Sequence, residues 1–225
     1  MADPVFDRHY SAVVFDLDGT LVDSAPDLHV AVNAMLREFD RAPLSLQCVA
    51  GFVGNGVGRL VRRCLDASGG EQGLQAAALE SFSRHYARAP ATLSQLFAGA
   101  GDALARLNTL GMVIGLCTNK AQHFTEAVIE SLGIAHRFDA VVGGTAEFPA
   151  KPDPAMLLEC IRRIGVRTDA TLYVGDSEID WETAQRANVR FALFTGGYRQ
   201  NGLDFFKSAT PFDDFTVLAR ALTAP

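Results

Sequence analysis

Apolar residues recur along the chain with two different periods, and the switch between them divides it. Val13, Val14 and Phe15 form a short β-branched and aromatic run that stops at Gly19, the pattern of a buried strand ending in a turn. Leu28, Val32, Met35, Leu36 and Phe39 then fall at helical spacing. Ser24, Pro26 and Asp27 supply the start signals of that helix, with Ser24 as its cap, and Asp40-Arg41-Ala42-Pro43 ends it. Helical patterns continue over residues 57 to 65 and 74 to 86, joined by the loop Ser68-Gly69-Gly70. Residues 24 to 92 therefore read as all-helical, with strand signals before and after them, which predicts an inserted helical unit.

From Gly99 onward the two periods alternate. Leu104, Leu107 and Leu110 make a helical stripe ending at Gly111, and Met112-Val113-Ile114-Gly115-Leu116-Cys117 reads as a buried strand. A helix carrying Phe124, Val128 and Leu132 stops at Gly133 before Ala140-Val141-Val142. Another, with Met156, Cys160 and Ile164, stops at Gly165 before Leu172-Tyr173-Val174, and Asn188 takes the same place before Phe191-Ala192-Leu193-Phe194. Residues that tolerate a left-handed backbone, each followed by an apolar strand, are the punctuation of βαβ units. The expected fold is α/β, a Rossmann-like parallel sheet with helices on both faces built from residues 1–23 and 93–225, with the all-helical unit of residues 24–92 inserted.

Ligands of such sheets lie beyond the carboxyl ends of the strands. Those ends carry Asp16 and Asp18 after the first strand, Thr118, Asn119 and Lys120 after the second, and Gly175, Asp176, Ser177 and Asp180 after the fourth. In an extended chain Asp16 and Asp18 face the same way, and two carboxylates so close call for a cation or a shared proton.

Composition narrows the partners. The 225 residues, 48% of them hydrophobic, are ample for one core and a smaller appended unit. Lys plus Arg number 20 against 26 Asp plus Glu, a net charge of -6 with no polybasic run, so no nucleic acid is expected and an anionic ligand must be held by local cations. Cys48, Cys64, Cys117 and Cys160 are widely spaced in apolar contexts and read as reduced packing residues. The five histidines, His9, His29, His85, His123 and His136, are scattered singly, which excludes a site built from soft ligands. Residues 1 to 10 are acidic without a signal-peptide core, and no run approaches a membrane span, so the expected location is cytoplasmic.

Asp16-Leu17-Asp18-Gly19-Thr20-Leu21-Val22-Asp23-Ser24 resembles the signature of the haloacid dehalogenase superfamily, specifically its phosphatase branch. The resemblance implies Asp16 as nucleophile and Asp18 as general acid and base. Thr118 matches the hydroxyl residue that bonds phosphoryl oxygens, with Gly19 and Asn119 beside it, and Lys151 in Lys151-Pro152-Asp153-Pro154 matches the family's cation. Gly175-Asp176-Ser177 with Asp180 matches the acidic motif, Asp176 as direct ligand and Asp180 in support. The implied metal set is Asp16, Asp18 and Asp176, and hard oxygen donors suit Mg2+. Ile179 and Trp181 depart from the family pattern around Asp180.

On this resemblance the helical unit occupies the place of a cap that reads the leaving group of a small phosphorylated metabolite. Gly54-Asn55-Gly56, Leu60, Arg63, Thr118-Asn119-Lys120 and Gly197-Tyr198 resemble the phosphoglycolate phosphatases, which makes 2-phosphoglycolate the favoured substrate and puts Arg63, Arg59 or the backbone amides around Asn55 forward for its carboxylate. Arg59, Arg62 and Arg63 also fit the wet face of a helix whose apolar side is Val57, Leu60 and Cys64. A pyrophosphatase, a nucleotidase, a sugar-phosphate phosphatase or mutase, and a phospho-ligand-binding regulator are the alternatives. Asp18 argues against a dehalogenase.

Overall fold

A computed structural model describes residues 10–70 and 73–222; His9 and the rest of the amino-terminal reading lie outside the described residues. The chain opens with β1 (Ala12–Phe15) and the two-residue β2 (Val22–Asp23), followed by helices α1 (Ala25–Glu38), α2 (Leu46–Ala50), α3 (Val57–Ala67) and α4 (Gln75–Ala87). The short β3 (Gln95–Leu96) returns to α5 (Ala100–Thr109), β4 (Val113–Ala121), α6 (Gln122–Ser131) and β5 (Ala140–Gly144). The remainder is α7 (Ala155–Ile164), β6 (Thr171–Gly175), α8 (Glu178–Ala187), β7 (Arg190–Phe194), β8 (Thr210–Phe212) and α9 (Phe215–Leu222).

Six parallel strands form one sheet in the order β5-β4-β1-β6-β7-β8. β1 is central because it is apolar on both faces. Val13 and Phe15 pack with Ile114, Leu116, Leu104 and Phe215 on one side, while Val14 packs with Tyr173, Met156 and Cys160 on the other. Phe15 is level with Leu116 of β4 and Val174 of β6, so the polar residues after these strands open onto one edge. Gly165 and Asn188 end α7 and α8 with φ of 71° and 53°, the left-handed positions expected of them. The buried cysteines Cys64, Cys117 and Cys160 and the half-buried Cys48 are all free thiols.

Helices α1 to α4 gather around their own apolar cluster, which includes Leu28, Val32, Met35, Leu60, Cys64, Phe82 and Tyr86, and Phe124 of α6 joins it. The segment leaves and rejoins the sheet through an antiparallel ribbon pairing Val22 with Leu96 and Asp23 with Gln95. β2, β3, β8 and α2 are too short to show a period, and the hydrophobic pattern did not predict them. Among the described residues no helix is long and apolar enough to cross a membrane.

The start of α1 differs from expectation. Ser24 is already helical (φ -97°, ψ -6°) and its hydroxyl makes no cap bond. Asp27 does more than favour the helix start: its carboxylate accepts from Leu93 N (3.0 Å), Ser94 N (2.7 Å) and Ser94 Oγ (2.6 Å), tying α1 to the returning chain. Asp27→Ala leaves the buried Ser94 N–H and hydroxyl, and the N–H of the more exposed Leu93, without their acceptor, and is expected to cost about 2–6 kcal/mol, since each buried orphaned group costs roughly 1–3 kcal/mol. Urea unfolding checks this; an unchanged midpoint would remove Asp27 from the joint.

Candidate active site

Asp16 follows the last residue of β1, its N–H still bonded to Val174 O at 2.9 Å, so its carboxylate is delivered at the sheet edge between β4 and β6. It meets Lys151 there. The Lys151 ammonium donates to Asp16 Oδ1 (2.8 Å), Asp180 Oδ1 (2.6 Å), Tyr173 Oη (2.8 Å) and Cys117 O (3.1 Å). Lys151 and Asp180 are 3% and 1% exposed, so water screens this pair little. Asp180 is oriented twice over: it forms a capping box with Ser177 at the start of α8 and accepts from Tyr173 Oη at 2.8 Å. Ile179 and Trp181 leave that box intact, because the Trp181 indole turns to Lys207 O and the rings of Phe205 and Phe206.

Asp176, just past β6, accepts from Thr20 Oγ1 (2.8 Å) and Tyr198 N (2.7 Å). The peptide at Gly19 passes so close that a Cβ there would lie 2.5 Å from Asp176 Oδ2, and its φ of +89° favours glycine independently. Oxygens of Asp16, Asp176 and Asp180 lie within 4.8 Å of one another. Burial and the Asp180 charge push the Asp16 carboxyl up to about 7, burial with Asp180 and Asp16 raises that of Asp176, and Lys151 outweighs burial to hold Asp180 below its ordinary value. Three hard carboxylates, two of them short of positive charge, are a donor set that fits a divalent cation of the oxygen-seeking kind.

Asp18 lies outside this group of three. Both its oxygens accept from Lys120 Nζ, at 3.0 and 3.1 Å, so Asp16 and Asp18 each have a lysine of their own. Both still face one cleft, whose floor includes Thr118, Asn119 and Lys120. These three belong to β4, which runs past Cys117 to Ala121 with a shift in register that turns them into the cleft. The Asn119 amide joins elements: it donates to Gly54 O and Lys151 O, and accepts from Lys151 N.

The sequence matches the family described as haloacid dehalogenase-like hydrolase over residues 13–194. The chain belongs to that family. This haloacid dehalogenase-like hydrolase is 46% identical over 189 residues to a phosphoglycolate phosphatase of Cereibacter sphaeroides, covering 83% of this chain and 86% of that one. It is 39% identical over 220 residues to a phosphoglycolate phosphatase of Rhodospirillum rubrum, covering 95% and 91%. The crystal structure of a predicted phosphoglycolate phosphatase from Haemophilus somnus superposes with a TM-score of 0.88 at 26% identity, covering 96% of this chain and 99% of that one.

The hydrolase's sheet thus brings together Asp16, Asp18, Gly19, Thr118, Asn119, Lys151, Asp176 and Asp180, whereas Asn55 and Arg63 do not line the cleft. Asn55 Oδ1 instead accepts from the exposed Arg59 at 3.0 Å, and Arg63 is half-buried on α3. The role of Lys120 beside Asp18, and those of Tyr173, Thr20 and Tyr198, carry no signal in the hydrophobic pattern. Tyr198 is visible in the sequence only as part of a family motif, yet its hydroxyl donates to Asp23 Oδ1 (2.6 Å) and accepts from Ala25 N (3.1 Å) at the entry to the helical segment.

Proposed function

We propose that this hydrolase is a Mg2+-dependent phosphomonoesterase that converts 2-phosphoglycolate to glycolate and phosphate through an aspartyl-phosphate on Asp16. The observation that carries the reading is the buried union of Asp16, Asp176 and Asp180 with Lys151 at one sheet edge, in a chain whose relatives at 46% and 39% identity bear the name phosphoglycolate phosphatase.

An Asp16 oxygen attacks phosphorus and the bond to the ester oxygen breaks; that oxygen takes a proton from Asp18 and leaves as the alcohol. Asp18, now a carboxylate, takes a proton from water as the water oxygen attacks the aspartyl-phosphate, which returns Asp16 and releases phosphate. Lys151 balances the charge on Asp16 and Asp180, and the Thr118 hydroxyl donates to phosphoryl oxygens. Asp16 and Asp176 would hold Mg2+. Both oxygens of Asp180 already accept bonds, from Lys151, Tyr173 and Ser177, which suits a supporting place. The Asp18 carboxylate is occupied by Lys120, so only its main-chain carbonyl is left for the ion. When bound, Mg2+ lowers the repulsion between the Asp16 carboxylate and the phosphoryl oxygens. Residues 24–92 act as the cap, roofing the cleft with Leu28, Val57, Leu60 and Phe82.

The test is phosphate release from 2-phosphoglycolate, hexose phosphates, nucleoside monophosphates and pyrophosphate, with Mg2+ and with a chelator in its place. Expected are loss of activity on chelation and a preference in kcat/KM for 2-phosphoglycolate of about a hundredfold, roughly 2.7 kcal/mol. A nucleotide or pyrophosphate turned over best, or equal rates on every ester, would discard this substrate.

A further inference from the structure

The roof of the cleft presents a single polar side chain. Leu28, Val53, Val57, Leu60 and Phe82 are apolar, and Tyr86 at the end of α4 alone among the roof side chains carries a hydroxyl. Tyr86 is 2% exposed, and its hydroxyl has no hydrogen-bond partner among the described residues. A buried hydroxyl without a partner is unfavourable in the resting protein, and its cost disappears when a ligand supplies an acceptor. Burial raises the Tyr86 pKa, so at neutral pH the group is an O–H donor.

Lys120 stands beside it, its ammonium 4.8 Å from the centre of the Tyr86 ring. The Lys120 side chain donates to the two oxygens of Asp18. An ammonium has three N–H groups, so one is left beyond those given to Asp18, on the side of Tyr86, where a ligand oxygen would compete for it. An O–H without an acceptor and the Lys120 ammonium, which lies against the Tyr86 side chain, thus meet under an apolar roof, next to the carboxylate assigned to the leaving group. Two adjacent donors match the two oxygens of a carboxylate.

We propose that Tyr86 is the specificity-determining residue of the cap, its hydroxyl and the third Lys120 N–H each receiving one oxygen of the substrate's carboxylate. The proposal rests on the reading of the substrate as 2-phosphoglycolate. It gives the task expected of Arg63 to a tyrosine that the cap buries and a lysine that the sheet supplies. The surrounding Leu28, Leu60 and Phe82 side chains restrict the group esterified to the phosphate to a short chain.

The experiment compares Tyr86→Phe with the wild type on 2-phosphoglycolate and on ethyl phosphate, which has no carboxylate, with glycolate as a competitive inhibitor. The ratio of kcat/KM values, 2-phosphoglycolate over ethyl phosphate, is expected to fall about 10- to 100-fold, as for loss of a hydrogen bond to a charged group. The change should lie mainly in KM, and glycolate inhibition should weaken by a similar factor. The variant deletes a hydroxyl without a partner, so its melting temperature should hold or rise. A ratio unchanged in Tyr86→Phe while the wild type prefers 2-phosphoglycolate would overturn the role of Tyr86 and leave the substrate standing. A wild type indifferent to the carboxylate would overturn both.

Discussion

Asp16→Asn is expected to lose at least about 10^4-fold in kcat while keeping its fold, the scale seen when a covalent nucleophile is removed. The amide cannot attack phosphorus, but its oxygen can still accept from Lys151 Nζ as Asp16 Oδ1 does at 2.8 Å. The main-chain bond from residue 16 to Val174 O is untouched, so the thermal transition should stay within a few degrees of the wild type. Phosphate release and a thermal melt on the same preparation separate the two effects. Residual activity within tenfold of the wild type would show that another group takes the phosphoryl.

Lys151→Met should fail in both respects. The ammonium is surrounded by Asp16, Asp180, Tyr173 Oη and Cys117 O, and nothing else among the described residues donates a side-chain cation to Asp180. Removing one partner of a buried pair leaves an uncompensated charge and costs about 3–5 kcal/mol. For a chain of this size that lowers the melting temperature by roughly 6–20 °C, at about 2–4 °C per kcal/mol. Activity should fall with it, because Asp16 loses the cation that fixes its carboxylate. A variant with wild-type stability would mean that Asp180 finds another partner, and the Ser177 capping box would be the place to look.

The contrast between these two variants shows what the sequence exposes. Asp16, Thr118 and Asp176 could be located because each ends an apolar run, and strand ends of a parallel sheet converge; the period of the pattern carried that information without any knowledge of contacts. Lys151 has no such signal, and only its resemblance to a family position singled it out. The Lys120–Asp18 pair spans 102 positions and the Tyr198–Asp23 bond spans 175, distances over which no local pattern reports. Arg63 is a different case, a candidate that does not line the cleft. The helix period around Val57, Leu60 and Cys64 left the arginines on its wetter side, and the structure has Arg59 and Arg62 exposed, so the pattern argued for the outcome that the carboxylate assignment set aside. Ser24 looked like a cap because it stands just before Pro26 and Asp27, but it is buried and already helical, and its hydroxyl has no hydrogen-bond partner among the described residues.

The stereochemical course at phosphorus tests the phosphoryl-enzyme most directly. A phosphate ester made chiral by oxygen isotopes would be hydrolysed with Mg2+ and the configuration of the released phosphate determined. Two successive in-line displacements, first by Asp16 and then by water, predict overall retention. Inversion would mean that water attacks the substrate directly, leaving Asp16 as a metal ligand and contradicting the aspartyl-phosphate.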